Sequence, residues 1–128
     1  MPIPDVNEWF RDISAQAGSD AIGMMLIHRG VVRGTSRAGE PVRGMTLTVD
    51  RARLEQELVD ARTLPGVVAV RAWVNEGTLA VGDDIMAVLV AGDTRENVFS
   101  ALRRLVATIK TEVVSEIELP LSQAPASS

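Results

Sequence analysis

Three cations occupy positions where cations are uncommon, and each has the chemistry to handle an anion. Arg33 closes the apolar segment Ile22 to Val32 and precedes the turn-rich stretch Gly34-Thr35-Ser36-Arg37-Ala38-Gly39-Glu40-Pro41, which reads as a mobile loop after a strand. A strand end beside such a loop suits ligand contact, and suits a solvated side chain equally. Arg95 and Lys110 belong to a helix starting near Asp93, whose buried stripe is expected to be Val98, Phe99, Leu102, Leu105, Val106 and Ile109. At about 100° per residue, Lys110 lies about 20° from Phe99 and Arg95 about 40° to its other side. Both cations therefore sit on or beside the apolar face, opposite in character to Arg104, and either snorkel at the core's edge or line a pocket. Arg95 opposes the helix dipole unless an anion or Asp93 offsets it, and an oxyanion there would meet exposed amides together with a guanidinium. The local alternative pairs Arg95 with Asp93 or Glu96 and leaves Lys110 as a cation favourable to the helix C-terminus.

Other chemistries find less support. His28 is the single histidine and lies within an apolar strand, where a packed or edge-strand role explains it. Asp83 and Asp84 are adjacent, so in a strand they would point to opposite faces; a turn before a strand accounts for them, and no metal site is expected. Serine in a Gly-x-Ser-x-Gly elbow, a Walker loop and a dinucleotide fingerprint are all absent. With no cysteine, thiolate catalysis, disulfides and Cys-ligated metals are excluded, so any sulfur would have to be brought by another molecule.

At 128 residues and 46% hydrophobic the chain suits one core. A formal charge of −4 argues against a general grip on nucleic acid or acidic lipid, so an anion must be bound locally. Four aromatics are too few for a base-stacking platform. The start Met1-Pro2-Ile3-Pro4-Asp5 lacks a basic region followed by an apolar run, and the apolar stretches are too short to span a bilayer, so a cytoplasmic location is expected.

The elements that must hold the cations follow from periodicity. Asp5 caps an amphipathic helix to about Ala17 carrying Val6, Trp9, Phe10 and Ile13. The strand ending at Val32 is followed by a second strand, Val42 to Val49, and Asp50 caps a helix lined by Leu54, Leu58 and Ala61 that ends at Pro65-Gly66. Val67 to Val74 and Ile85 to Val90 are strands able to form a long hairpin; the helix from Asp93 carries a capping box with Glu96. Val113, Val114, Ile117 and Leu119 form a last strand before a Pro/Ser/Ala tail. The expected order is α-β-β-α-β-β-α-β, an α+β fold.

Gly30-Val31-Val32-Arg33, Gly77-Thr78-Leu79-Ala80-Val81-Gly82-Asp83, Arg95-Glu96-Asn97-Val98-Phe99-Ser100-Ala101 and Ile109-Lys110-Thr111 together resemble, in order and spacing, the motifs of the MoaE family, the large subunit of molybdopterin synthase. The resemblance runs from about Gly23 to about Glu118. It implies an α/β-hammerhead-like single domain over 1–119, with a mixed sheet and three helices, and a flexible tail over 120–128. It also implies a homodimer that joins a MoaD-like small ubiquitin-like sulfur carrier in a heterotetramer, and sulfur transfer from the carrier's thiocarboxylated C-terminus to cyclic pyranopterin monophosphate in molybdenum cofactor biosynthesis. No cofactor, nucleic acid or membrane is implied. By motif, Lys110 matches the family's catalytic lysine, which would act at the carrier tail after partial desolvation. Arg33 and Arg95 match arginines that hold the substrate phosphate or stabilise developing charge. The sequence departs from the pattern at Thr94, where the family has His, at Ile117, where it has a second lysine, at Glu112-Val113-Val114-Ser115-Glu116, which replaces a Pro-aromatic-Trp-Lys run, and at Thr48-Val49-Asp50. Arg37 or Arg43 would then be the loop contacts that substitute for the second lysine. The alternative is a catalytically degenerate homologue acting as a binding or regulatory module for a carrier protein or pterin.

Overall fold

The computed structural model describes residues 2–121. Its organising element is β5 (Asp84–Gly92), a strand whose residues from Ile85 onward are all buried. A near-continuous apolar run of this kind is stable as a central strand covered on both faces. β1 (Met24–Val31) pairs antiparallel along one side of β5, and β3 (Val67–Val74) pairs antiparallel along the other. Helix α3 (Arg95–Thr108) lies on one face of this sheet, burying Val98, Leu102 and Leu105 against Met86, Val88 and Val90. Helix α1 (Val6–Ala15) lies on the other, where Ile13 packs with Leu89, Ala91 and Ala69. Asp5 caps α1 by accepting from the Asn7 amide at 2.9 Å.

A second sheet has the order β4-β2-β6, with β2 (Val42–Val49) between β4 (Gly77–Ala80) and β6 (Val114–Pro120). Helix α2 (Arg51–Ala61) follows β2 and is capped by Asp50, whose carboxylate accepts from the Arg53 amide at 3.0 Å. Among the described residues, therefore, six strands and three α-helices make an α+β fold. The expected mixed sheet is instead two three-stranded sheets in which each pairing is antiparallel. The hairpin expected from β3 and β5 forms, and its connection contributes β4, a strand too short and too Gly-flanked to stand out by periodicity. Pro120 closes β6 opposite Val42, and the Leu121 amide donates to the Pro41 carbonyl at 3.4 Å; the rest of the expected tail, residues 122–128, lies outside the described residues.

Two details of α3 differ from the expectation. Thr94 is the N-cap, accepting from the Asn97 amide at 3.3 Å, while Asp93 accepts from the Asn97 side chain at 2.9 Å; the Asp93–Glu96 box does not form. Phe99 is 45% exposed, because the buried stripe centres on Val98, Leu102, Leu105 and Ile109, about 90° around the helix. After Thr108 the helix widens into a π turn, Ile109–Val113, that buries Ile109 and Val113 and leaves Lys110 exposed. The Val113 carbonyl accepts from the Asp50 amide at 2.8 Å, tying this turn to the start of α2.

Candidate functional site

Between the end of β1, the start of β2, the π turn and β6 lies a cavity of about 310 Å³. Each wall arrives by a simple local rule. The turn after β1 is held by its own hydrogen bonds: the Ser36 hydroxyl accepts from Ala38 and Glu40 amides, and the Ser36 amide donates to the Glu40 carbonyl at 2.7 Å. This closes the expected open loop into a compact turn, with Thr35 bridged to Pro41. Arg33 donates from Nε to the Thr35 carbonyl at 3.1 Å and from one terminal nitrogen to the Ser36 carbonyl at 3.3 Å, leaving its other terminal nitrogen available to an anion. Gly44 has φ +155°, and a Cβ there would run into the Leu79 carbonyl, so glycine permits β2 and β4 to close at the cavity's floor.

Arg33, Arg37 and Lys110 all line this cavity, whose apolar floor includes Val32, Met45 and Ile85. Two of the three cations singled out by sequence, Arg33 and Lys110, are thus brought together, joined by the loop contact Arg37. Arg43 is not: it is exposed at the register shift between Val42 and Gly44, where β2 pairs with β6, and it is not among the residues that line the cavity. Arg95 is not either. It is the first residue of α3 and Lys110 follows the last, a separation of roughly 20 Å along the axis. Arg95 is exposed and forms no ion pair with Asp93 or Glu96 among the described residues. Lys110 is exposed as well, so the partial desolvation expected of it must come from whatever covers the cavity.

Two further side chains line the cavity that the sequence did not mark, Glu116 and Glu118, and His28, expected as a packed or edge-strand side chain, lies near Lys110 without lining it. His28, on the half-buried edge strand β1, is held below the ordinary histidine pKa, first by burial and second by the positive charge of Lys110. It is therefore a neutral neighbour of the lysine at neutral pH. Glu116 and Glu118 form a carboxylate wall on β6. Ile117, where the resemblance implies a second lysine, is 66% exposed and is not among the residues that line the cavity. The structure sets the parity: Val114 is buried, so 114, 116 and 118 share the inward face. The apolar spacing of Val113, Ile117 and Leu119 suggests the opposite phase.

The other acidic features are occupied. Asp84 accepts from Arg29 Nε at 2.6 Å and from a terminal nitrogen at 3.1 Å, and Asp83 accepts from the Ala80 amide at 2.8 Å, as a turn before a strand requires. A somewhat larger hollow, about 370 Å³, lies between α2 and α3 beside Glu57, Asp60 and Glu112. Arg53 already pairs with Glu57 at 2.9 Å and with Glu112 at 3.1 Å, and the hollow holds none of the three clustered cations. The cationic cavity is the better candidate despite its smaller size.

Comparison with known proteins bears on the fold. The chain resembles the crystal structure of molybdopterin synthase from Staphylococcus aureus with a TM-score of 0.75 at 18% identity, covering 95% of this chain and 88% of that one. A MoaE molybdopterin biosynthesis protein from Burkholderia ambifaria gives 0.71 at 20% identity, covering 99% and 90%. The complex of subunits 1 and 2 of molybdopterin-converting factor from Helicobacter pylori gives 0.66 at 18% identity, covering 94% and 82%. At these identities the likeness establishes the fold. A search of curated proteins by sequence gave no match. The MoaE protein family model matches residues 5–112, most of the chain, and ends just before β6 begins. On that match, the chain belongs to the MoaE family.

Proposed function

We propose that this chain is the large subunit of a molybdopterin synthase, acting in molybdenum cofactor biosynthesis. In this reading sulfur passes from the thiocarboxylated C-terminus of a MoaD-like carrier to cyclic pyranopterin monophosphate, in the cytoplasm. The observation that carries it is the meeting of Arg33, Arg37 and Lys110 on one cavity in a chain of this family. Such a reaction needs no protein thiol, because the carrier brings the sulfur, and the chain has none. It needs positive charge at two places. Arg33 and Arg37 are suited to the substrate phosphate, where a guanidinium fork makes paired charge-assisted bonds. Lys110 is suited to the carrier's terminal carbonyl, where an ammonium stabilises the negative charge that develops as the carbon–sulfur bond is exchanged. A carrier tail laid across the cavity would also exclude water from Lys110 and strengthen that interaction.

No membrane-spanning helix is present among the described residues, in keeping with diffusible partners. The alternative of a purely binding or regulatory module draws no support of its own from the converging cations. The test is reconstitution. Purified chain, thiocarboxylated carrier and cyclic pyranopterin monophosphate should yield the dithiolene product, and Lys110→Ala should lower turnover at least about a hundredfold while the carrier still binds. Carrier binding without any product from the native chain would overturn the proposal.

A further inference from the structure

The cavity carries a demand that three cations and a carrier tail do not meet. Glu116 Oε1 is shut off from solvent and has no hydrogen-bond partner among the described residues. Its strand position explains why it cannot turn away: Glu116 stands opposite Leu47 and Glu118 opposite Met45, both on the buried side of the second sheet. The five ion pairs of the described residues all lie elsewhere, so neither Lys110 nor either arginine of the cavity satisfies this oxygen. A buried acceptor left unpaired is costly, and in a binding cavity its partner is an ordered water or a donor that the ligand supplies in the water's place.

The chemistry of that donor is constrained. An ionised carboxylate only accepts, and its two oxygens suit two parallel N–H groups. Arg33, Arg37 and Lys110 in the same cavity require an anion. A ligand that satisfies both walls offers a flat edge of paired N–H donors and carries a negative group. A pterin phosphate has both, since the aminopyrimidinone edge presents its ring N–H beside its exocyclic amine, as nucleobase edges do when read by Glu or Asp. A simple inorganic anion satisfies the cations and is repelled by the carboxylates.

We propose that Glu116 is the residue that recognises the aminopyrimidinone edge of the pterin, and so fixes which way round the substrate lies. The cations then face the phosphate end. This assignment rests on the pterin reading proposed above, and it concerns a wall lying beyond the residues matched by the family model. In this chain the wall contributes the carboxylates of Glu116 and Glu118.

The experiment is a fluorescence titration of the intact chain with 6-hydroxymethylpterin, which has the donor edge and no phosphate, and with 6-hydroxymethyl-lumazine, whose 2-oxo group replaces the amine. Wild type should prefer the pterin by at least about tenfold. Glu116→Gln should abolish that preference while keeping the melting temperature, and should bind inorganic phosphate at least as tightly as wild type. An unchanged preference in the variant overturns the assignment, and so does a folded wild type that does not bind the pterin at millimolar concentration. The two readings fail separately. Glu116-dependent pterin selection without dithiolene formation would overturn the synthase reading alone, whereas dithiolene formation with an unaltered KM in Glu116→Gln would overturn the Glu116 assignment alone.

Discussion

His28 offers a probe of the surroundings of Lys110 because it is the one histidine of the chain and feels the lysine's charge. Its pKa is lowered first by burial and then by Lys110. In the unfolded chain the imidazole takes up a proton near 6.5, while in the folded protein it resists until the pH is lower. The unfolded state therefore binds more protons as the pH falls from about 6.5 toward the folded-state pKa, and stability declines across that window; above it the contribution is fully present. Urea midpoints measured between pH 7.5 and 5 should show this decline, and His28→Gln should remove the part belonging to this group. A two-dimensional NMR titration adds a test of proximity. Lys110→Ala should move the single imidazole pKa upward, yet leave it below 6.5 because burial is the larger cause. An unmoved titration would mean that the lysine does not face this ring.

Among the elements, two positions separate fold from site. Ile13 is fully buried where α1 meets the outer face of the first sheet, so Ile13→Ala should cost about 2–5 kcal/mol in denaturant unfolding and leave ligand affinity per folded molecule unchanged. Gly44 sits at the cavity floor with a left-handed φ, and Gly44→Ala should cost on the order of 3 kcal/mol and also weaken ligand binding, since the Leu79 carbonyl must retreat. The contrast reflects what was legible in the chain. Asp5, Asp50, the alternation of β2 and the apolar runs of β3 and β5 announce their elements, because caps, alternation and apolar runs are local signals. Arg33 and Lys110 were legible as misplaced cations. Glu116 and Glu118 were not, because the phase of β6 is set by the π turn and by pairing with β2, which are tertiary facts. Phe99 misled for a related reason: helical periodicity defines a face, while packing decides how far that face is rotated toward the sheet.

For the whole molecule, the distance between Arg95 and Lys110 decides what one copy can do. If both serve one site, Arg95 must come from a second copy, which suits the expected homodimer with two carriers. Arg95→Ala and Lys110→Ala would then each be inactive alone. Mixed and allowed to exchange subunits, they should recover about a quarter of native turnover, because half of the dimers are hybrid and each hybrid keeps one intact site. Undiminished turnover of Arg95→Ala alone would place Arg95 outside the reaction, and no recovery, with exchange verified by mass spectrometry, would overturn the sharing of one site between two copies. The π turn from Ile109 to Val113 has a consequence for how such a site changes over evolutionary time. It acts as a phase-setter, since each residue it spends fixes which side of β6 looks inward. Loss of a single residue there would present position 117 to the cavity and send both carboxylates outward. The charge of a whole wall can thus be removed by one codon's deletion, since Ser115, Ile117 and Leu119 carry none, a far shorter mutational path than replacing its side chains one by one.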